Sequence, residues 1–136
     1  METVNEAAAR GFAQAITNRD REAGIAVCHP EIEFVSMLGI DGRSYAGHDG
    51  IHEYFDDIES AWSEWSVDVE RITEAADGRV AIVMTMHARG KGSGAELALR
   101  TAHVWTLRDG RLLRNELYRE PEQALQALGL AVGEPG

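Results

Sequence analysis

The chain has 136 residues, a single cysteine and a formal charge of −10 at pH 7. That length holds one domain with a sizeable core and is too short for two. The acidic balance argues against nucleic acid and anionic membrane as partners, since both need basic surface to displace counterions. Lone Cys28 excludes an internal disulfide and fits a reducing, cytoplasmic compartment.

The first six residues, Met-Glu-Thr-Val-Asn-Glu, lack the basic and then apolar regions of a signal peptide. The longest apolar run, residues 80–84, is far too short to cross a membrane. Val4, Ala8, Phe12, Ala15 and Ile16 recur at helical spacing, which predicts an amphipathic helix over residues 3–18. Asp20 is a good N-cap for a second short helix that His29-Pro30 stops. Cys28, at the apolar end of that helix, reads as a small buried hydrophobe. Residues 31–37 then alternate as a strand with Ile32, Phe34 and Ser36 on one face. Gly39, Gly42 and Gly47 mark turns around a short piece at residues 43–46.

The cleanest helical stripe follows: Ile51, Tyr54, Phe55, Ile58, Ala61, Trp62 and Trp65 share one side. His48 and His52 have the i, i+4 spacing of a metal pair, but no third ligand is evident and no metal site is expected. From residue 66 the period changes to two. Segments 66–75, 79–89, 95–107 and 111–118 predict a four-stranded antiparallel meander. Gly90-Lys91-Gly92-Ser93-Gly94 leads into a strand, so it reads as a hairpin loop and not as a phosphate cradle, which would open a helix. Pro121 begins a terminal helix that Gly129 closes. Helices set beside an antiparallel sheet give an α+β fold: a curved sheet wrapped around helices to make a cone.

Asp109-Gly110 is a two-residue hairpin loop, which pairs Arg108 with Arg111 and predicts the partners beyond. Unbroken alternation sets Thr106 against Leu113, Val104 against Asn115, and Ala102 against Leu117. On the other face it sets Trp105 against Arg114, His103 against Glu116, and Thr101 against Tyr118.

The residues Tyr45-Ala-Gly-His-Asp-Gly-Ile51, His103-Val-Trp-Thr-Leu-Arg-Asp-Gly-Arg111 and Glu122-Gln-Ala-Leu-Gln-Ala-Leu-Gly129, with the element order, carry a resemblance over nearly the whole chain. It resembles the SnoaL-like branch of the nuclear-transport-factor-2-like superfamily, which includes ketosteroid isomerases and polyketide cyclases. The resemblance implies a cone-shaped fold in one domain, residues 1–136, with no cofactor. It also implies that Arg100, Ala102, Val104, Leu113, Asn115 and Leu117 face the interior. Parity then turns Val80, Ile82, Met84 and Met86 inward, and Phe12, Phe34, Ser36, Tyr54, Ile58 and Trp62 complete a largely apolar pocket for a small molecule. An inward Arg100 would need a carboxylate from the protein or from a ligand.

The positions at which ketosteroid isomerases carry a base and two oxyanion donors fall, by the resemblance, on Ser36, Phe12 and Ala102, none of which can serve, so steroid isomerisation is not expected. The remaining catalytic candidates are His103 and Glu116, which enter the pocket only if a bulge exchanges the two strand faces. Otherwise His103, Trp105, Arg114 and Tyr118 form a convex face suited to a homodimer. Two readings stay open. One is a cofactor-free isomerase, cyclase or dehydratase that moves a proton on an apolar substrate. The other is a non-catalytic ligand-binding or dimerisation module.

Overall fold

The computed structural model describes residues 1–36 and 43–130. Met37 at the end of the first strand, and the turns at Gly39 and Gly42, lie outside the described residues. In chain order the elements are α1 (Val4–Asn18), α2 (Arg21–Ala26), β1 (Cys28–Val35), β2 (Ser44–Ala46), α3 (Gly47–Ala61), β3 (Trp62–Glu74), β4 (Val80–Gly90), β5 (Glu96–Arg108), β6 (Arg111–Tyr118) and α4 (Pro121–Ala127). One six-stranded sheet runs β2-β1-β6-β5-β4-β3. β3 to β6 form the antiparallel meander, and β1 joins it parallel to β6. No helix among the described residues is long and apolar enough to cross a membrane.

Local chemistry sets the helix starts. Thr3 caps α1 in a reciprocal capping box with Glu6, and Asp20 accepts from the Ala23 N–H at 3.1 Å to start α2. α1 and α3 lay their apolar stripes on the inner face of the sheet, and the main core lies between. α4 packs against the outer face, where Ala124 meets Val83, Ala102 and Val104. Those small residues let the helix come close.

Three expectations change. First, α3 ends at Ala61, and Trp62 and Trp65 belong to β3. Their i, i+3 spacing continues the helical stripe, but Trp65 and Val67 then bury with strand period, and aromatic residues suit a pleated surface. Second, α2 stops at Ala26, so Cys28 opens β1 instead of ending the helix.

Third, the meander register differs on both sides of β5. β4 pairs Ile82 with His103, Met84 with Thr101, and His87 with Ala98. The inward parity of Val80, Ile82, Met84 and Met86 therefore carries His103 and Trp105 inward and turns Arg100, Ala102 and Val104 outward. Toward β6 the tight turn keeps Arg108 opposite Arg111 and Leu107 opposite Leu112. A bulge then sets Thr106 opposite Arg114, Trp105 opposite Asn115, and His103 opposite Leu117. The physical reason is burial. With Trp105 and His103 inside, unbroken alternation would aim Arg114 and Glu116 into the core; one extra residue, at Leu113, substitutes Asn115 and Leu117. Arg114 and Glu116 are accordingly exposed.

The expected convex dimer face loses His103 and Trp105 to the interior, and Tyr118 packs against the α4 cluster. The outer face instead carries ion pairs: His87 with Asp68 at 3.0 Å, and Arg100 with Glu70 at 2.6 Å and Glu122 at 3.6 Å. Arg100 thus finds protein carboxylates, on the outside. Because the pair is exposed, Arg100→Ala should cost no more than about 1 kcal/mol in urea denaturation; a loss several times larger would contradict the exposed placement.

Candidate functional site

Inside the cone, Phe34 of β1 and His103 and Trp105 of β5 hold their ring planes nearly parallel. Phe34 lies 5.8 Å from Trp105 with planes 7° apart, and 6.1 Å from His103 with planes 14° apart. Phe12 of α1 meets Phe34 and Trp105 edge-on at 5.4 and 5.7 Å, and Tyr54 of α3 meets Phe34 edge-on at 4.8 Å. Alternate ring orientations of this kind are favourable for aromatic quadrupoles. The rings enclose a cavity of about 30 Å³, closed over by Ala9, Ala13 and Ile16 of α1 and floored by Val67, Ile82, Met84 and Met86. This volume exceeds the 10–15 Å³ or so that one water needs, and is well below the roughly 150 Å³ of an engineered cavity that admits benzene.

His103 joins the Tyr54 phenol and the Trp105 indole as a polar group of that lining, and it is 5% exposed. Asn115, equally buried, stands behind it. The Asn115 Oδ1 accepts from the Val35 N–H at 2.8 Å, and its Nδ2 donates to the Val35 carbonyl at 3.0 Å. These two bonds assign which end of the amide is nitrogen. The second Nδ2 hydrogen then meets His103 Nδ1 at 2.6 Å. Nδ1 must accept, so the ring proton resides on Nε2. Burial pushes the His103 pKa down to about 4, which leaves the imidazole neutral at pH 7. The site therefore offers the neutral His103 N–H in a mostly apolar box that also contains the Trp105 indole and the Tyr54 phenol. Among the described residues, its lining contains no carboxylate.

A second space, of about 160 Å³, lies beyond Tyr54. Ile58, Ala61, Trp62, Ser36, Arg43, Tyr45 and Asp57 line it with Tyr54. Asp57 accepts from the Tyr45 hydroxyl and from Arg43, both at 2.7 Å, while Arg43 also pairs with Glu53. Burial together with the Asp57 charge pushes the Tyr45 phenol up to about 12. Burial raises the Tyr54 phenol further, with a hydrogen bond to Ser36 opposing it.

The residues named from sequence separate accordingly. Phe12, Phe34, Tyr54, Met84 and Met86 line the inner cavity; Ser36, Ile58 and Trp62 line the second space with Tyr54. Asn115 reaches the inner site through His103. Leu117 sits opposite His103 in the ladder but lines neither space. Arg100, Ala102 and Val104 are on the outer face. Glu116 is also outside, where its carboxylate accepts from the Tyr118 hydroxyl at 3.2 Å, so it is no partner for His103. Trp105 stacks with Phe34 and His103, and the expected contact with Arg114 is not formed. His48 Nε2 bonds the Cys28 carbonyl at 2.9 Å. Among the described residues, no three His, Cys, Asp or Glu side chains converge as metal ligands. The buried Cys28 donates to the Gly24 carbonyl at 3.2 Å, and its pKa is pushed up to about 12, so its thiol is inert.

Ala102 faces outward, so its lack of a donor says nothing about the interior; His103 holds the inward position on that strand. Interior Phe12 and Ser36 remain unable to supply the tyrosine donor and the carboxylate base of a ketosteroid isomerase. Residue size was the missed signal. Ala102 and Val104 are small enough to lie under a helix, whereas Trp105 and Leu107 are large core residues.

Residues 9–115 match the SnoaL-like domain family. The chain belongs to the SnoaL-like family. Its fold recurs in TerC, co-crystallised with polyporic acid, at 25% identity and a TM-score of 0.75, over 93% of this chain and 98% of that one. An NTF2-like protein of unknown function from Burkholderia pseudomallei K96243 aligns at 18% identity, TM-score 0.76, over 93% and 98% of the two chains. RV0760c from Mycobacterium tuberculosis, in complex with estradiol-17β-hemisuccinate, aligns at 17% identity, TM-score 0.72, over 86% and 94%. The latter two show the shared fold alone. No curated protein sequence matches the chain.

Proposed function

We propose that this SnoaL-like protein binds a small, uncharged, mostly apolar molecule in the cone, with an oxygen of the ligand accepting a hydrogen bond from His103 Nε2. The observation that carries this reading is the orientation of Asn115. Its two bonds to Val35 leave a hydrogen aimed at Nδ1, and that leaves Nε2 as the donor for an occupant. Neutrality of the site favours a ketone, quinone or phenol over a carboxylate, because an anion would need a countercharge that the lining lacks. TerC was co-crystallised with polyporic acid and RV0760c with estradiol-17β-hemisuccinate. Both ligands are acids, so they support an oxygenated small molecule in this fold, while the neutrality rests on this chain's lining alone.

Binding without turnover is the reading best supported, since proton transfer requires a base and, among the described residues, the lining offers no base beyond a weakly basic imidazole. A cofactor-free isomerase, cyclase or dehydratase is the second reading, favoured by the same N–H. A neutral imidazole in an apolar site can stabilise a developing enolate. A cytoplasmic homodimer is also part of the proposal; sedimentation at twice the monomer mass would support it.

The test is a titration with 4-acetylbiphenyl, read by tryptophan fluorescence and thermal shift. His103→Phe keeps a ring and deletes the donor, and should weaken binding about tenfold, the worth of one hydrogen bond. Equal affinity in both proteins, or no binding to the wild type, would overturn the assignment.

A further inference from the structure

The inner cavity is too small for the ligand that its chemistry suits. About 30 Å³ of free space cannot take an aromatic ring, and the lining is otherwise well packed. The larger space of about 160 Å³ lies directly beyond one side chain, because Tyr54 lines both. Tyr54 is also the middle ring of a continuous aromatic path. Its centroid is 4.8 Å from Phe34 on the inner side and 5.4 Å from Tyr45 on the outer side. Its hydroxyl is held by Ser36, which itself lines the outer space.

The Trp65 ring meets Tyr54 edge-on at 6.4 Å, and Trp65 Nε1 is buried without a hydrogen-bond partner among the described residues. Trp65 itself lines neither the inner cavity nor the second space, so this donor stands outside the site.

We propose that Tyr54 is the specificity-determining partition of this site, and that the ligand is an elongated, uncharged aryl ketone or phenol that moves Tyr54 aside and spans both spaces. Its carbonyl or hydroxyl end meets His103, and its far ring lies against Ile58 and Trp62. The far end carries no negative charge, because Arg43, the cation of the outer space, already faces two carboxylates. Arg43 is met by Asp57 and Glu53, and Tyr45 donates to Asp57. A ligand carboxylate there would compete with two protein carboxylates for one guanidinium. This inference rests on the reading of His103 as the donor, and adds the length of the ligand and the absence of an anion at its far end.

The experiment compares acetophenone with 4-acetylbiphenyl, which present the same ketone on one ring or two. The wild type should bind the longer ketone about tenfold more tightly or better. Ala61 is exposed at the lip of the outer space, so Ala61→Trp fills that space without touching the core; a melting curve verifies the fold. Ala61→Trp should weaken 4-acetylbiphenyl about tenfold more than acetophenone. In protein labelled with 3-fluorotyrosine, which has three tyrosine positions, the Tyr54 resonance, identified by its loss in Tyr54→Phe, should move when the longer ketone binds. Equal wild-type affinities, an equal effect of Ala61→Trp on both ketones, or an unmoved Tyr54 resonance would overturn the partition. If His103→Phe still weakens both ketones in that case, the donor assignment stands alone. Absence of binding of either ketone to the wild type overturns both.

Discussion

Asn115→Leu should lower unfolding stability by about 4 kcal/mol, seen as a drop in the urea midpoint at unchanged m-value. The leucine is close in volume, so the cost is in hydrogen bonds. Asn115 uses its amide as a piece of backbone. Just beyond Glu33, which pairs with Arg114 in the parallel ladder of β1 and β6, the side chain takes both the N–H and the carbonyl of Val35. Its third bond, to His103 Nδ1, joins β6 to β5 inside the cone. Leucine leaves three polar groups without partners. Each costs about 1–3 kcal/mol when buried, with the lower figure for half-buried Val35. The neighbouring control is Glu116→Leu. Glu116 is exposed on the outer face, so that substitution should stay within about 0.5 kcal/mol of wild type. A loss below about 1 kcal/mol for Asn115→Leu would mean that the three bonds are not made together.

The same pair of residues shows where sequence reading stops. α1, α4 and the start of α2 were legible because their caps, apolar period and, for α4, the flanking Pro and Gly are written within a few residues of each boundary. The family was legible from three short motifs and the element order, and the family match agrees over residues 9–115. The hairpin turn was legible too: Arg108 pairs with Arg111, and Leu107 with Leu112, as the two-residue loop dictates. The bulge that follows was not. Nothing in residues 111–118 marks Leu113 as the extra residue; it is set by tertiary burial of Leu112 and Asn115 on one face, which strict alternation forbids. That single residue decides which side chains reach the interior. It also explains why a reading from the turn outward paired His103 with Glu116, when its contacts are Asn115 and Phe34. The end of α3 fails for a different reason: Trp62 and Trp65 fit a helical stripe and a strand equally well, and only docking against β4 distinguishes them.

Between pH 7 and pH 5 the wild-type protein should lose about 2 kcal/mol of stability that His103→Phe does not lose. The folded His103 has its pKa pushed down to about 4 by burial, while the unfolded imidazole titrates near 6.5. A depressed folded pKa means that the stabilisation is fully present above the unfolded value. As pH falls through the interval, the unfolded chain takes up a proton that the folded chain refuses, and the balance shifts toward unfolding by up to about 1.4 kcal/mol per pH unit. The His87–Asp68 pair and the other histidines are the same in both proteins, so the difference between wild type and His103→Phe isolates the buried ring. Asn115→Asp supplies the complementary case. A carboxylate beside Nδ1 accepts where the amide donated, moves the ring proton to Nδ1 and holds the imidazolium by charge, so the pKa should rise. Stability of Asn115→Asp should therefore fall less steeply between pH 7 and pH 5 than that of the wild type, whatever its absolute level. Parallel curves for wild type and His103→Phe would show that His103 is solvated. A curve for Asn115→Asp as steep as the wild type would show that Asn115 does not face Nδ1.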